Sequence, residues 1–172
     1  MGREIRRVPP NWKHPRTDKY GEERYQPMHD NLYSKAAKEW MENCLLWEKG
    51  EHPSQKSDWA KECKYYWEYE GNPPDKEYYL PDGLEEPTWY QMYETVSEGT
   101  PVSPPFATRE ELIDYLVENG DFWDQKRGTP PPTRESVEAF VDMGWAPSFI
   151  VADGKLMSGV EAASVKFDQE KS

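Results

Sequence analysis

Sixteen prolines and eleven glycines punctuate this chain of 172 residues, so its regular elements must be short and joined by many loops. Proline fixes φ and has no backbone N–H to donate. Prolines 9, 10, 15 and 27 therefore forbid a long helix in residues 1–29. That segment carries Arg3, Arg6, Arg7, Lys13, Arg16, Lys19 and Arg24 against Glu4, Asp18, Glu22 and Glu23. It reads as a basic, extended arm with Ile5 and Val8 in a short strand. Charge complementarity would fold it back on an acidic stretch further along; disorder is the competing reading.

Between the breaks, apolar spacing predicts helices. Tyr33, Ala37, Trp40, Cys44 and Trp47 alternate steps of four and three, one stripe on a helix that Asp30 or Asn31 can cap and Gly50 can end. Trp59, Cys63, Tyr66 and Trp67 mark a second helix closed by Gly71, Pro73 and Pro74. The two make a helical hairpin. Residues 72–88 are turn chemistry, with Asn-Pro-Pro and Pro81-Asp82-Gly83. Trp89 to Val96 reads as a half-exposed strand. Thr108 with Glu111 forms a capping box for a helix burying Leu112, Ile113, Leu116 and Val117. Thr133 caps another that buries Val137, Phe140 and Val141 and stops at Gly144. Residues 149–158 read as a hairpin around Asp153-Gly154.

The expected fold is α+β. A small antiparallel sheet, the Trp89 strand beside the C-terminal hairpin, is covered by two short helices, with the N-terminal helical hairpin as an insertion or subdomain. The expected divisions are the arm 1–29, the helical hairpin 30–71, a loop 72–88, an α+β core 89–160 and a polar tail 161–172. Aliphatic residues are scarce, so Trp, Tyr and Phe must supply much of the core. Each ring buries roughly 150–250 Å², and its polar tip wants a partner.

The formal net charge of −12 argues against non-specific nucleic-acid binding, which needs Lys and Arg at phosphates. Cys44 and Cys63 do not make a secreted disulfide framework and read as buried thiols. No apolar run approaches the roughly 18 residues of a membrane span, and the Arg-rich start has no apolar segment of a signal peptide. Arg6 stands where a myristoylation signal needs Ser or Thr. These readings place the chain in the cytoplasm, with no membrane partner.

Catalytic and cofactor chemistry finds little support. His14, His29, Cys44, His52 and Cys63 are spaced too widely for zinc-ligand pairs. The paired carboxylates Glu85-Glu86 and Glu110-Glu111, with Asp121 and Asp124, lack any sign of a pocket, and Glu110 and Glu111 suit a helix N-terminus. Ser97-Glu98-Gly99 reads as a turn, and neither a nucleophile elbow nor a phosphate-binding glycine loop occurs. No catalytic residue, metal or cofactor is expected.

Residues 65–124 hold 15 Asp and Glu against only Lys76 and Arg109, together with 13 of the 24 aromatic residues. Carboxylates and rings together suit a protein partner with a basic surface. Helical position accounts for Tyr66, Trp67 and Tyr115, and leaves Tyr78 and Tyr79 without a core explanation. The expected partner-binding set is Glu68, Glu70, Asp75, Glu77, Tyr78, Tyr79, Asp82, Glu85 and Glu86.

Two stretches carry a resemblance: Trp89-Tyr-Gln-Met-Tyr-Glu-Thr-Val-Ser-Glu-Gly-Thr-Pro-Val-Ser-Pro-Pro-Phe-Ala-Thr-Arg-Glu-Glu-Leu112, and Gly144-Trp-Ala-Pro-Ser-Phe-Ile-Val-Ala-Asp-Gly-Lys-Leu-Met-Ser-Gly159. With Arg6-Arg-Val-Pro9 they resemble a family of small accessory proteins of tailed bacteriophages and prophages. Some relatives have a Cys-rich knuckle in the middle; here only Cys44 and Cys63 stand there, so a zinc-dependent role does not transfer. The resemblance implies an accessory factor acting in the host bacterial cytoplasm. On that basis the expected function is binding and inhibiting a host defence or nucleic-acid-processing complex, as anti-CRISPR proteins do. An enzyme modifying a host protein or nucleotide, and a virion assembly protein, are the alternatives.

Overall fold

The computed structural model describes residues 2–19, 21–96, 98–152 and 154–165. Ser97, Asp153 of the turn signal and most of the polar tail (166–172) lie outside the described residues. In chain order the strands and helices are β1 (Arg3–Val8), β2 (Arg16–Lys19), β3 (Glu22–Tyr25), β4 (His29–Leu32), α1 (Tyr33–Lys49), α2 (Tyr66–Tyr69), β5 (Tyr79–Leu80), β6 (Trp89–Glu94), β7 (Thr100–Pro101), α3 (Arg109–Asn119), α4 (Phe122–Arg127), α5 (Arg134–Met143), β8 (Trp145–Ala146), β9 (Phe149–Ala152), β10 (Lys155–Ser158) and α6 (Gly159–Ala162). Single 3₁₀ turns stand at Pro53–Lys56, Trp59–Glu62 and Lys76–Tyr78. The class is α+β, with small sheets that are mostly antiparallel. The chain forms two compact units, Met1–Pro27 with Leu84–Ser172, and Met28–Gly83.

The first unit is built on a four-stranded sheet in the order β7-β6-β1-β8. The sequence reading paired the Trp89 strand with the 149–158 hairpin. Instead β6 pairs along its whole length with β1, from Arg3 opposite Glu94 to Val8 opposite Trp89, and β9 and β10 pair only with each other. The prolines explain the difference. The first stands at position 9, one residue beyond β1, so Arg3–Val8 keeps every N–H it needs for an interior strand. The strand β6 is accordingly not half exposed: Gln91, Met92 and Tyr93 are all buried, because the sheet is covered on both faces.

One face carries the hydrophobic core. Met92 packs there with Leu112, Ile113 and Leu116 of α3, Val137, Phe140 and Val141 of α5, and Ala146 of β8. Both helices follow their sequence signals. Thr108 Oγ1 accepts the Glu111 N–H while the Glu111 carboxylate accepts the Thr108 N–H. Thr133 accepts from the Ser136 N–H, and Gly144 ends α5 at φ +75°. The turn 120–128, silent in the sequence reading, holds the short helix α4. Asp121 caps it by accepting the N–H groups of Trp123 and Asp124, and also takes the Arg3 guanidinium in a buried ion pair. Fully burying one such Leu, Ile or Phe side chain contributes about 1.5–3 kcal/mol.

The second unit contains α1, whose stripe buries Trp47 and half-buries Trp40 and Cys44 against Ala60 and Tyr66. Leu32 occupies the N-cap position with no side-chain cap, so neither Asp30 nor Asn31 serves as expected; Gly50 ends the helix at φ +76°. The predicted second helix is not formed. It breaks into the 3₁₀ turn Trp59–Glu62 and the single turn α2. The Glu68 carboxylate accepts the N–H groups of Lys64 and Tyr65, which starts a new helix at that point and leaves Cys63 extended. Trp67, expected in the core, is exposed. The parallel pair β4–β5 holds the beginning and end of this unit side by side, with His29 opposite Tyr79.

Candidate functional site

The nine residues expected to bind a partner divide between the two units. Glu68, Glu70, Asp75, Glu77, Tyr78, Tyr79 and Asp82 belong to Met28–Gly83; Glu85 and Glu86 belong to the first unit, exposed ahead of β6. Three of the carboxylates already hold local structure. Glu68 starts α2, Asp75 accepts the Glu77 N–H at 3.1 Å to cap a 3₁₀ turn, and Asp82 accepts the Ser34 hydroxyl. Glu70 and Glu77 are exposed on short turns. Tyr78 and Tyr79 are half-buried, and the Tyr79 ring lies 4.6 Å from His29 across the β4–β5 pair. Strand pairing thus supplies Tyr79 with packing that a Pro-rich loop context conceals.

The exposed rings of the second unit lie elsewhere. Tyr65 and Trp67 stack face to face at 4.3 Å with their planes 9° apart, and both are exposed. The Lys64 ammonium sits 5.0 Å from the Tyr65 ring centre. Trp59 is 62% exposed, and Met41 and Leu45 project into solvent one helical turn apart on α1. Glu62, Glu68 and Glu70 flank these rings in the chain. A signal for Met41 and Leu45 was present: their step of four falls outside the Tyr33–Trp47 stripe. The exposure of Trp67 had none, since it depends on the break in the second helix.

In the first unit, the sheet face opposite the core buries a polar network. The Tyr93 hydroxyl accepts from Trp12 Nε1 at 3.3 Å and stands 3.0 Å from His14 Nδ1 and 3.1 Å from Gln91 Oε1. Gln91 Nε2 donates to the Ser103 carbonyl at 2.7 Å. His14 Nε2 lies 2.6 Å from the Gln26 carbonyl, which can only accept, so that nitrogen carries a proton and donates it. Burial pushes the His14 pKa below its ordinary value; the Gln26 bond opposes this and nearby Arg6 adds to it. Arg6 lies over the Tyr93 ring at 4.5 Å and donates to Glu4. Beside this network, between the β2–β3 hairpin and residues 101–105, opens a cleft of about 540 Å³.

The remaining groups considered as metal ligands are dispersed into structural roles. His29 packs on Tyr79, His52 accepts the Ser54 N–H at a 3₁₀ turn, and Cys44 and Cys63 border the Trp47 cluster. Burial raises the Cys44 pKa. Among the described residues, no three His, Cys, Asp or Glu side chains are grouped to hold a metal ion, and no helix is long and apolar enough to cross a membrane. No protein-family model, curated protein or solved structure matches this chain.

Proposed function

We propose that this chain is an accessory protein of the tailed-bacteriophage class whose task is to bind, and thereby inhibit, a host protein complex with a basic surface. Defence or nucleic-acid-processing complexes of the host cytoplasm fit that description, since they present Lys- and Arg-lined grooves where carboxylates compete with phosphates. The observation that carries the reading is the exposed Tyr65–Trp67 stack in the second unit, with Glu62 and Glu70 near it in the chain. Exposed Trp and Tyr are the residue types that anchor protein interfaces, and the exposed Glu62 and Glu70 flanking them in the chain supply the attraction. Exposed Glu77 and half-buried Tyr78 repeat the same residue types on another turn of the unit.

The test is affinity capture by the full chain from a bacterial host lysate, read by mass spectrometry at low and high salt. A Lys- and Arg-rich partner is expected, lost on raising salt from about 50 mM to about 500 mM because exposed charge attraction is screened. Replacing Tyr65 and Trp67 with Ser should abolish capture, and Glu70→Lys with Glu77→Lys should weaken it. Salt-insensitive capture, or capture unaffected by these substitutions, refutes the proposal.

A further inference from the structure

We infer that the cleft at the β7 edge of the first unit's sheet is a binding site for a small planar aromatic anion. The inference goes beyond the proposed protein-binding role and uses residues of a different unit. Three observations carry it. The first is charge. The chain has 33 acidic residues, yet none of the residues lining this cleft is Asp or Glu. Two cations stand there instead. Arg16 is held by Glu23 at 2.8 Å and lies over the Tyr25 ring, whereas the Lys13 side chain is exposed at the cleft with no salt bridge among the described residues.

The second observation is the nature of the walls. Trp12, Tyr25, Tyr115 and Phe122 all line the cleft, and Phe122 is 51% exposed although it is one of only five phenylalanines in the chain. Arg16 covers one face of Tyr25 and Lys126 lies 5.9 Å from the Phe122 ring centre, so each of those rings keeps one face, and Trp12 and Tyr115 add further ring surface against which another ring can pack. The third is size: about 540 Å³ matches the range of small-molecule pockets, roughly 300–1,000 Å³, and is too little for a folded partner. Aromatic walls, an ammonium without a salt bridge among the described residues and no carboxylate in the lining together select a ring bearing a negative group. A nucleoside monophosphate and an aromatic carboxylate share that chemistry.

The test is calorimetric titration of the full chain with AMP and with indole-3-carboxylate, each beside its neutral counterpart, adenosine or indole. At least one anion should saturate the protein with a Kd below about 1 mM, and its neutral counterpart should bind at least about tenfold more weakly. Saturation by AMP alone assigns a phosphate ligand, and by the indole acid alone a carboxylate. Lys13→Glu should weaken binding by about tenfold or more without changing the melting temperature, Lys13→Arg should retain it, and Phe122→Ser should weaken it. Neither anion saturating, equal affinity for the neutral compounds, or indifference to Lys13→Glu overturns the inference. None of these outcomes bears on capture through Tyr65 and Trp67, so the two proposals fail separately.

Discussion

Trp40 buries its indole Nε1 without a hydrogen-bond partner among the described residues, against Cys44 and Tyr66. A buried donor left unmade costs about 1–3 kcal/mol, so Trp40→Phe removes that penalty together with part of the ring. The two effects offset, and denaturant unfolding should register a change within about 1 kcal/mol. Trp47→Ala, on the same stripe but fully packed, should cost about 3–5 kcal/mol. His14 responds to acid instead. Its folded-state pKa lies below 6.5 chiefly because burial disfavours the charged ring, so the unfolded chain takes up the proton first as pH falls. This contribution to stability is whole above about pH 6.5 and is lost as pH drops from there through the folded pKa, by at most about 1.4 kcal/mol per pH unit. Urea unfolding between about pH 7.5 and 5.5 should show that loss in the native protein and a shallower one in His14→Gln; identical slopes would remove His14 from the account. Neither role is legible from residue type. A histidine in a Pro-rich arm and a tryptophan on a helical stripe look ordinary until long-range partners such as Tyr93 define their surroundings.

Helices α3 and α5 were legible because each carries its stripe, cap and stop within a dozen residues. Where one of those signals was supplied from outside the window, reading failed. The segment from Ser57 to Gly71 has a convincing apolar spacing, but Glu68 turns its carboxylate back to Lys64 and Tyr65 and divides it. The strand β1 shows little more than two apolar residues among charges, yet it pairs on both sides because β6 and β8 come to it from far along the chain. The rings redistribute for the same reason: Tyr79 has a strand partner, and Trp67 has no place in a buried helix face. Local and long-range caps also differ in worth. Thr108→Ala removes one side of a capping box and should cost about 1 kcal/mol. Asp121→Ala removes the cap of α4 and the carboxylate of a buried ion pair with Arg3, and should cost about 3–5 kcal/mol by chemical denaturation. Equal losses would mean that the ion pair adds nothing to the cap.

At the scale of the molecule, the chain leaves the first unit after Pro27 and returns to it at Leu84. The β4–β5 pair closes the intervening unit on itself, so its removal should leave the sheet and core of the first unit intact. Replacing residues 28–83 with a flexible linker of about six residues should give a protein that unfolds cooperatively and retains the buried core around Phe140. A molten product without near-ultraviolet circular dichroism would show that the units depend on one another. The position of β1 has a further consequence, during synthesis. Its partners β6 and β8 follow some 80 and 140 residues later in the chain. At ribosomal speeds of about 5–20 residues per second, β1 waits on the order of ten seconds for its second neighbour. The intervening unit, contiguous in the chain, can close meanwhile. An unpaired strand is a template for aggregation, and charged side chains are the usual protection. Arg3, Glu4, Arg6 and Arg7 fill four of the six places in β1. The same charges that make this strand look like a disordered arm keep it soluble until the nascent sheet is ready to receive it.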